Sequence, residues 1–264
     1  TLLFFGRPQM KIDRFRNWDL DGDPFYLPGG RTGVLLLHGF TATTTEVRPL
    51  AEYLNATGYT ISAPLLKGHG TDPDDLNKTT WQDWLESAET AYQALSQNCS
   101  QVFLGGESMG GLLALLLASR YPKIAGLMLY APALIVPKLT FAHIIKFFQS
   151  YIPKTGKSGH LPWKGYGVYP SHASVQLLKL QKEARHCLSS IHQPTLIVMG
   201  TEDYSVRHDV PEILSRKIAS KDKEILRLEG SPHVLLLAPG REKAFEASLE
   251  FVSSRSSQKT QAMN

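Results

Sequence analysis

Gly106-Glu107-Ser108-Met109-Gly110 has the form Gly-x-Ser-x-Gly and stands between a short predicted strand at 101–104 and a predicted helix at 112–121. A serine hydroxyl is a weak nucleophile at its free pKa. It attacks a carbonyl efficiently only when an imidazole takes its proton and a carboxylate orients that imidazole. The motif suits this task when a strand enters it and a helix leaves it. The serine then stands on a sharp turn, small neighbours admit close backbone packing, and the N-terminal N–H groups of the helix face developing negative charge. In a chain with 21 glycines the five-residue pattern is a weak signal by itself, and its strand–turn–helix setting gives it weight.

A serine presented this way is followed along the chain first by its acid and then by its histidine. Of nine histidines, only His208 and His233 lie beyond the start of the last predicted strands. His233 closes the loop Glu229-Gly-Ser-Pro-His233 after a predicted strand at 223–228, where a loop base can reach the C-terminal edge of a sheet. His208 sits in or beside a helix start, so His233 is the expected base. Asp203, in Gly200-Thr-Glu-Asp203, follows a predicted strand at 195–199 on the same edge and is the expected acid. Glu202, read as a loop charge, and Asp209, more natural at a helix start, are the alternatives. The expected oxyanion donors are the backbone N–H groups of Met109 and Phe40, the latter turned inward at Gly39. The Phe40 ring also suits a core, and the His38 side chain reads as a structural hydrogen-bonder. A base that must be neutral to act predicts activity falling as pH drops through about 6–7.

These residues need a scaffold. The sequence predicts strands at 25–27 and 34–37 joined as a hairpin through Pro28-Gly-Gly30, a helix at 46–54, a strand at 59–63 and a loop at Lys67-Gly-His-Gly70. A helix at 81–95, a strand at 101–104, a helix at 112–121 and a strand at 126–130 follow. After the strand at 195–199 come a helix at 210–218, the strand at 223–228, a helix at 241–252 and a polar, frayed tail at 253–264. Short apolar strands alternating with helices predict an α/β fold with a mostly parallel central sheet covered on both faces. The stretch from 130 to 195 is too long for one crossover. It is read as an insertion with helices at 141–151 and 174–188 around a Gly/Pro/aromatic loop at 157–170. The expected organisation is a catalytic domain of residues 1–132 and 191–264 with a cap at 133–190.

A chain of 264 residues fits one large domain with a sizeable core, and 42% hydrophobic with 20% charged residues excludes disordered and collagen-like classes. The net charge of +4 comes without a dense basic run carrying aromatic platforms, so no nucleic-acid partner is expected. Cys99 and Cys187 have no metal spacing and make no disulfide framework; free thiols in a reducing, cytoplasmic setting are expected. The longest apolar run, at 111–119, is too short to span a bilayer. The chain starts at Thr1 without an initiator Met, which leaves a removed signal peptide compatible with the sequence.

Leu37-His-Gly-Phe-Thr41, Arg48-Pro-Leu-Ala-Glu52, Gly58-Tyr59, Lys67-Gly-His-Gly-Thr71, Gly106-Glu-Ser-Met-Gly-Gly111, Asp203-Tyr-Ser-Val206 and Ser231-Pro-His233 together make the chain resemble the bacterial carboxylesterase and monoacylglycerol-lipase branch of the α/β-hydrolases. The similarity runs over about 33–252 outside the insertion. It implies the α/β-hydrolase fold with a small, mainly helical cap, Ser108 as nucleophile with Asp203 and His233, oxyanion donors at Phe40 and Met109, an acyl pocket under the cap, and no metal or organic cofactor. The polar cap residues by which monoglyceride-selective members hold glycerol hydroxyls find no match here.

The predicted cap carries eight Lys and Arg residues and one acid, Glu183, which leaves the remainder of the chain net acidic. A desolvated substrate ammonium needs carboxylate partners, so this composition counts against an aminopeptidase. Phe141, Ile144, Ile145, Phe147, Phe148, Leu161 and Trp163 either pack on the main domain or, for Phe141, Ile145 and Trp163, line an acyl pocket. A basic, apolar cap also suits transient contact with anionic lipid surfaces, against the plainer reading of a solvated face. The expected function is hydrolysis of small to medium acyl esters through an acyl-enzyme. Thioesterase or amidase chemistry, or non-catalytic binding of an apolar ligand, are the alternatives. Dehalogenases and epoxide hydrolases normally use an Asp nucleophile, which Ser108 replaces.

Overall fold

The computed structural model describes residues 14–154 and 161–256. Its strands are β1 (Phe15–Arg16), β2 (Phe25–Leu27), β3 (Thr32–Leu37), β4 (Thr60–Ala63), β5 (Gln101–Glu107), β6 (Gly126–Tyr130), β7 (Tyr151–Pro153), β8 (Gly165–Tyr166), β9 (Val168–Pro170), β10 (Thr195–Gly200) and β11 (Lys223–Leu228). The helices are α1 (Arg48–Ala56), α2 (Pro73–Lys78), α3 (Trp81–Asn98), α4 (Met109–Arg120), α5 (Ala142–Ile145), α6 (Ser171–Cys187), α7 (Val210–Lys217) and α8 (Glu242–Arg255).

Seven strands form one sheet in the order β11-β10-β6-β5-β3-β4-β2. Every pairing is parallel except β2 with β4. Every residue of β3, β6 and β10 is buried, which is why these strands read as continuous apolar runs rather than alternating ones. Helix α4 buries ten residues, Met109 through Ala118, and packs against β3, β5 and β6, so the element leaving the serine turn is itself core. Helix α3 starts from a capping box in which Thr80 and Asp83 satisfy each other's backbone N–H groups. Among the described residues no helix is long and apolar enough to cross a membrane. Cys99 and Cys187 are free thiols.

The sequence reading of the α/β architecture agrees with this sheet, with local corrections. The predicted hairpin does not form: β2 pairs antiparallel with β4, and β3 takes β4 and β5 as its neighbours. The Pro28–Gly30 turn instead docks on the α1–β4 connection, where Gly30 N–H donates to Gly58 O and Asn55 Nδ2 donates to Pro28 O. A wholly buried β3 is better placed between two parallel strands than at the rim of a hairpin. The predicted helix at 141–151 is a 3-10 turn (Pro137–Phe141) followed by the single α-turn α5, and its end is the strand β7, paired antiparallel with β9. Its apolar spacing has no core to face: Phe141, Ile144, Phe147 and Phe148 are between 60% and 81% exposed. The predicted loop at 157–170 contains β8 and β9, and β8 pairs with β1; residues 157–160 lie outside the described set. The second predicted insertion helix is α6. Helix α2 was not foreseen, although Asp72 at its N-cap and Pro73 at its first position are strong start signals. The tail forms helix through Arg255, and residues 257–264 lie outside the described set.

Candidate active site

Strand β5 runs straight into Ser108, and α4 begins at the next residue. Ser108 has φ 54° and ψ −109°, an unusual conformation for a non-glycine residue, and its N–H donates to Tyr130 O at 2.8 Å on the neighbouring β6. The two glycines of the motif are there for space. A Cβ on Gly106 would lie 2.2 Å from the Gly110 carbonyl carbon, and one on Gly110 would lie 2.1 Å from Leu37 O. Only without side chains can β5 double back into α4 and α4 press against the end of β3.

The structure brings the three predicted side chains together from three distant segments. His233 Nε2 lies 2.9 Å from Ser108 Oγ, and His233 Nδ1 lies 2.7 Å from Asp203 Oδ2. The carboxylate accepts the Nδ1–H hydrogen bond, which fixes the tautomer and leaves the Nε2 lone pair facing the serine hydroxyl. Asp203 is fully buried, and its other oxygen accepts the N–H groups of Ser205 (2.8 Å) and Val206 (3.0 Å). Burial opposes the Asp203 charge, but the His233 hydrogen bond and these backbone donors outweigh it and hold the carboxyl below its usual range. Burial likewise opposes the His233 cation, but the bond to Asp203, its charge and that of Glu46 prevail, and the imidazole is held above its usual value. The loops after β10 and β11 are tied together by Glu202 N–H donating to Ser231 O (3.0 Å) and Gly230 N–H donating to Thr201 Oγ1 (2.9 Å).

The alternatives fall elsewhere. Glu202 and His208 are exposed, and Asp209 stands at the start of α7 in an ion pair with Arg207. His38 is a buried structural group: Nδ1–H donates to Gly39 O and Nε2 accepts Leu66 N–H, while burial pushes its pKa down to about 4. His69, from the Lys67-Gly-His-Gly70 marker, packs edge-on against His38, Phe40 and Trp84. Phe40 packs in turn against Trp84 and stacks on Tyr169, so its ring is anchored from both sides. The Tyr166 hydroxyl donates to Gly68 O and accepts Thr71 N–H, fastening β8 to the same marker loop.

The three predicted pocket residues are dispersed. Phe141 is 63% exposed and Ile145 is half-buried, and neither belongs to a packed apolar cluster. Trp163 is buried with Ala42 and Leu237, with Val234 of the base-bearing loop packed against them.

Three charged residues near the site were not singled out by sequence reasoning. Glu46 is buried and accepts Gly39 N–H at 2.6 Å. Glu107 is fully buried and accepts Leu236 N–H at 3.3 Å. Lys154 donates to Thr41 Oγ1, with its ammonium 4.4 Å from the centre of the Trp163 ring and 4.9 Å from that of Tyr169. Burial pushes this ammonium down to about 7. Glu107 is the variable position of the serine motif and Lys154 one of eight cap cations; only the full burial of the first and the aromatic enclosure of the second set them apart. Among the described residues no cluster of three or more His, Cys, Asp or Glu side chains could hold a metal ion.

A family model described as "Serine aminopeptidase, S33" matches residues 30–239. The chain is 37% identical over 233 residues to the thermostable monoacylglycerol lipase of Bacillus sp. (strain H-257), covering 87% of this chain and 93% of that one. It is 30% identical over 234 residues to a carboxylesterase of Bacillus subtilis (strain 168), covering 87% and 95%. A solved structure from work on two metagenome-derived lipolytic enzymes, LipS and LipT, superposes with a TM-score of 0.84 at 33% identity, covering 88% of this chain and 98% of that one.

Proposed function

The chain belongs to the serine aminopeptidase S33 family of α/β-hydrolases and is a carboxylic ester hydrolase; from that premise we propose that Ser108, His233 and Asp203 are its catalytic triad. The observation that carries this reading is the hydrogen-bonded series Ser108 Oγ, His233, Asp203. Ser108 Oγ attacks the ester carbonyl carbon while His233 Nε2 takes its proton. The negative oxygen faces the N–H groups of Phe40 and Met109, neither of which donates to a protein acceptor among the described residues. His233 returns the proton to the departing alcohol. A water deprotonated by the same nitrogen then releases the acid from Ser108.

Residues 133–190 act as the cap over this site, and small to medium acyl esters are the substrates. The family description raises peptide amines as a second class of substrate. The cap composition speaks against it: a desolvated substrate ammonium needs carboxylate partners, and the only acid on the cap is Glu183. Two free thiols fit a reducing compartment, and a cytoplasmic location goes with this reading. The exposed apolar face of Phe141, Ile144, Phe147 and Phe148, with Lys138 and Lys146 beside it, suits transient contact with anionic lipid.

The test is a fluorophosphonate probe followed by a p-nitrophenyl ester series, with thioester and aminoacyl anilide substrates alongside. Labelling of the wild type and none of Ser108→Ala, with ester turnover dominant, is the expected result. An unlabelled wild type would leave an apolar-ligand binder, and dominant anilide turnover an aminopeptidase.

A further inference from the structure

Two buried carboxyl groups flank the reacting centre without touching it. Glu46, on the turn before α1, stands behind the Gly39–Phe40 turn: its Oε2 accepts Gly39 N–H at 2.6 Å. A Cβ built on Gly39 would meet that oxygen at 2.9 Å and the Ser108 Cβ at 3.4 Å, so the turn is sandwiched between the glutamate and the serine. Glu107 lies at the end of β5, one residue before Ser108. Its Oε1 accepts Leu236 N–H, three residues beyond His233, and its Oε2 is buried with no hydrogen-bond partner among the described residues. One carboxyl therefore braces the turn that presents the Phe40 N–H, and the other ties the base-bearing loop to the serine turn.

The charged groups facing this pair are unequal. Glu46 is faced by His233, Lys154 and Glu107. Glu107 is faced by Glu46 and Asp203, two anions, and no cation pairs with it among the described residues. Where two buried carboxyl groups act on each other, ionising one disfavours ionising the other, and the proton favours the member with the poorer partners. Burial raises both carboxyls. Glu46 is pushed up despite its Gly39 hydrogen bond and the His233 and Lys154 charges. Glu107, with burial and then the Glu46 charge both raising it, goes well above its usual range.

Resting on the triad assignment above, we propose that Glu46 and Glu107 are positioning residues that hold one negative charge between them. Glu46 is the anion, bracing the oxyanion turn and facing His233, and Glu107 is a neutral acid whose Oε2 carries the proton. Glu46 is then a second anion, after Asp203, acting on the imidazole, and it holds the base more basic than the triad carboxylate alone would.

The pH dependence of kcat/KM for p-nitrophenyl butyrate tests this with three variants. Glu46→Gln keeps an acceptor for Gly39 N–H but removes the charge, so the acid limb should move to lower pH by about half a unit or more. Glu107→Gln replaces a neutral group by a neutral group, so the limb should stay where it is, whatever happens to the rate. Glu46→Leu removes the acceptor as well. Its kcat should fall at least tenfold with KM little changed, as one displaced oxyanion donor would cause, and Glu46→Gln should restore most of that loss. Infrared spectra at neutral pH should show a buried protonated-carboxyl band that vanishes in Glu107→Gln and persists in Glu46→Gln, a readout independent of turnover. An unmoved limb in Glu46→Gln, an equal shift in Glu107→Gln, or a band assigned to Glu46 would overturn the proposal. Failure of the triad reading would show differently, as loss of fluorophosphonate labelling at Ser108 or full activity in His233→Asn.

Discussion

Gly110 lies so close to Leu37 that a methyl group on its Cα would stand 2.1 Å from the Leu37 carbonyl oxygen. Gly110 is the second residue of α4, where alanine would ordinarily gain about 1 kcal/mol in helix propensity. The contact decides the other way, because overpacking against immobile backbone costs about 1–3 kcal/mol or more. Gly110→Ala should therefore lower the melting temperature by several degrees and cut fluorophosphonate labelling at least tenfold, since α4 can relieve the clash only by moving the serine turn. A variant as stable and as reactive as wild type would show that β3 and α4 separate easily.

Asp203→Asn should leave the fold intact and reduce kcat by a factor of about 10⁴, the loss typical when the orienting carboxylate of such a triad becomes an amide. The sign of the accompanying pH effect is fixed. In the wild type the imidazole is held above its ordinary value of 6.5, chiefly against burial, by the Asp203 hydrogen bond and charge. It stays protonated, and inactive as a base, to higher pH than a free histidine. The acid limb of kcat/KM should lie above about 6.5 in the wild type and move downward in Asp203→Asn. A wild-type limb below that value would contradict the charge arrangement described here.

Lys154 acts on the same imidazole with the opposite sign, since a nearby cation disfavours a second one. Lys154→Met should shift the acid limb upward, by less than the Glu46 variant shifts it downward, because burial leaves this ammonium only partly charged near pH 7. The measurement is the limb midpoint in wild type, Lys154→Met and the double variant with Glu46→Gln. A downward shift in Lys154→Met would mean that its main effect runs through Glu46 rather than through His233.

The α/β order of elements was legible because β3, β6 and β10 are buried from end to end and read as plain apolar runs. Ser108, Asp203 and His233 were legible for a related reason: each follows a strand of the central sheet, β5, β10 or β11, so topology alone delivers it to one edge of the sheet. What escaped depends on contacts that no local pattern encodes. Phe25–Leu27 could pair with either neighbour of the turn, and the choice of β4 rests on burying β3 on both sides. The spacing from Phe141 to Phe148 is helical, but without a surface to cover it yields one α-turn. Nothing local to Glu46 or Glu107 marks either as buried before the fold closes over them.

That unburied apolar face gives the last prediction. Phe147 and Phe148 are 77% and 81% exposed, and Lys146 lies over the Phe147 ring. Two phenylalanines offered to water at the tip of a basic segment can gain apolar burial only on another surface, and the cations choose an anionic one. Wild-type protein should co-sediment with vesicles containing anionic lipid, less with neutral vesicles, and progressively less as salt screens the lysines. The double variant Phe147→Ser, Phe148→Ser should lose most of this binding and hydrolyse a water-soluble ester at the wild-type rate, because neither ring packs in the core or touches the triad. Equal co-sedimentation of variant and wild type would remove this face as the docking surface. A parallel loss of soluble-ester turnover would instead place the two rings in substrate binding.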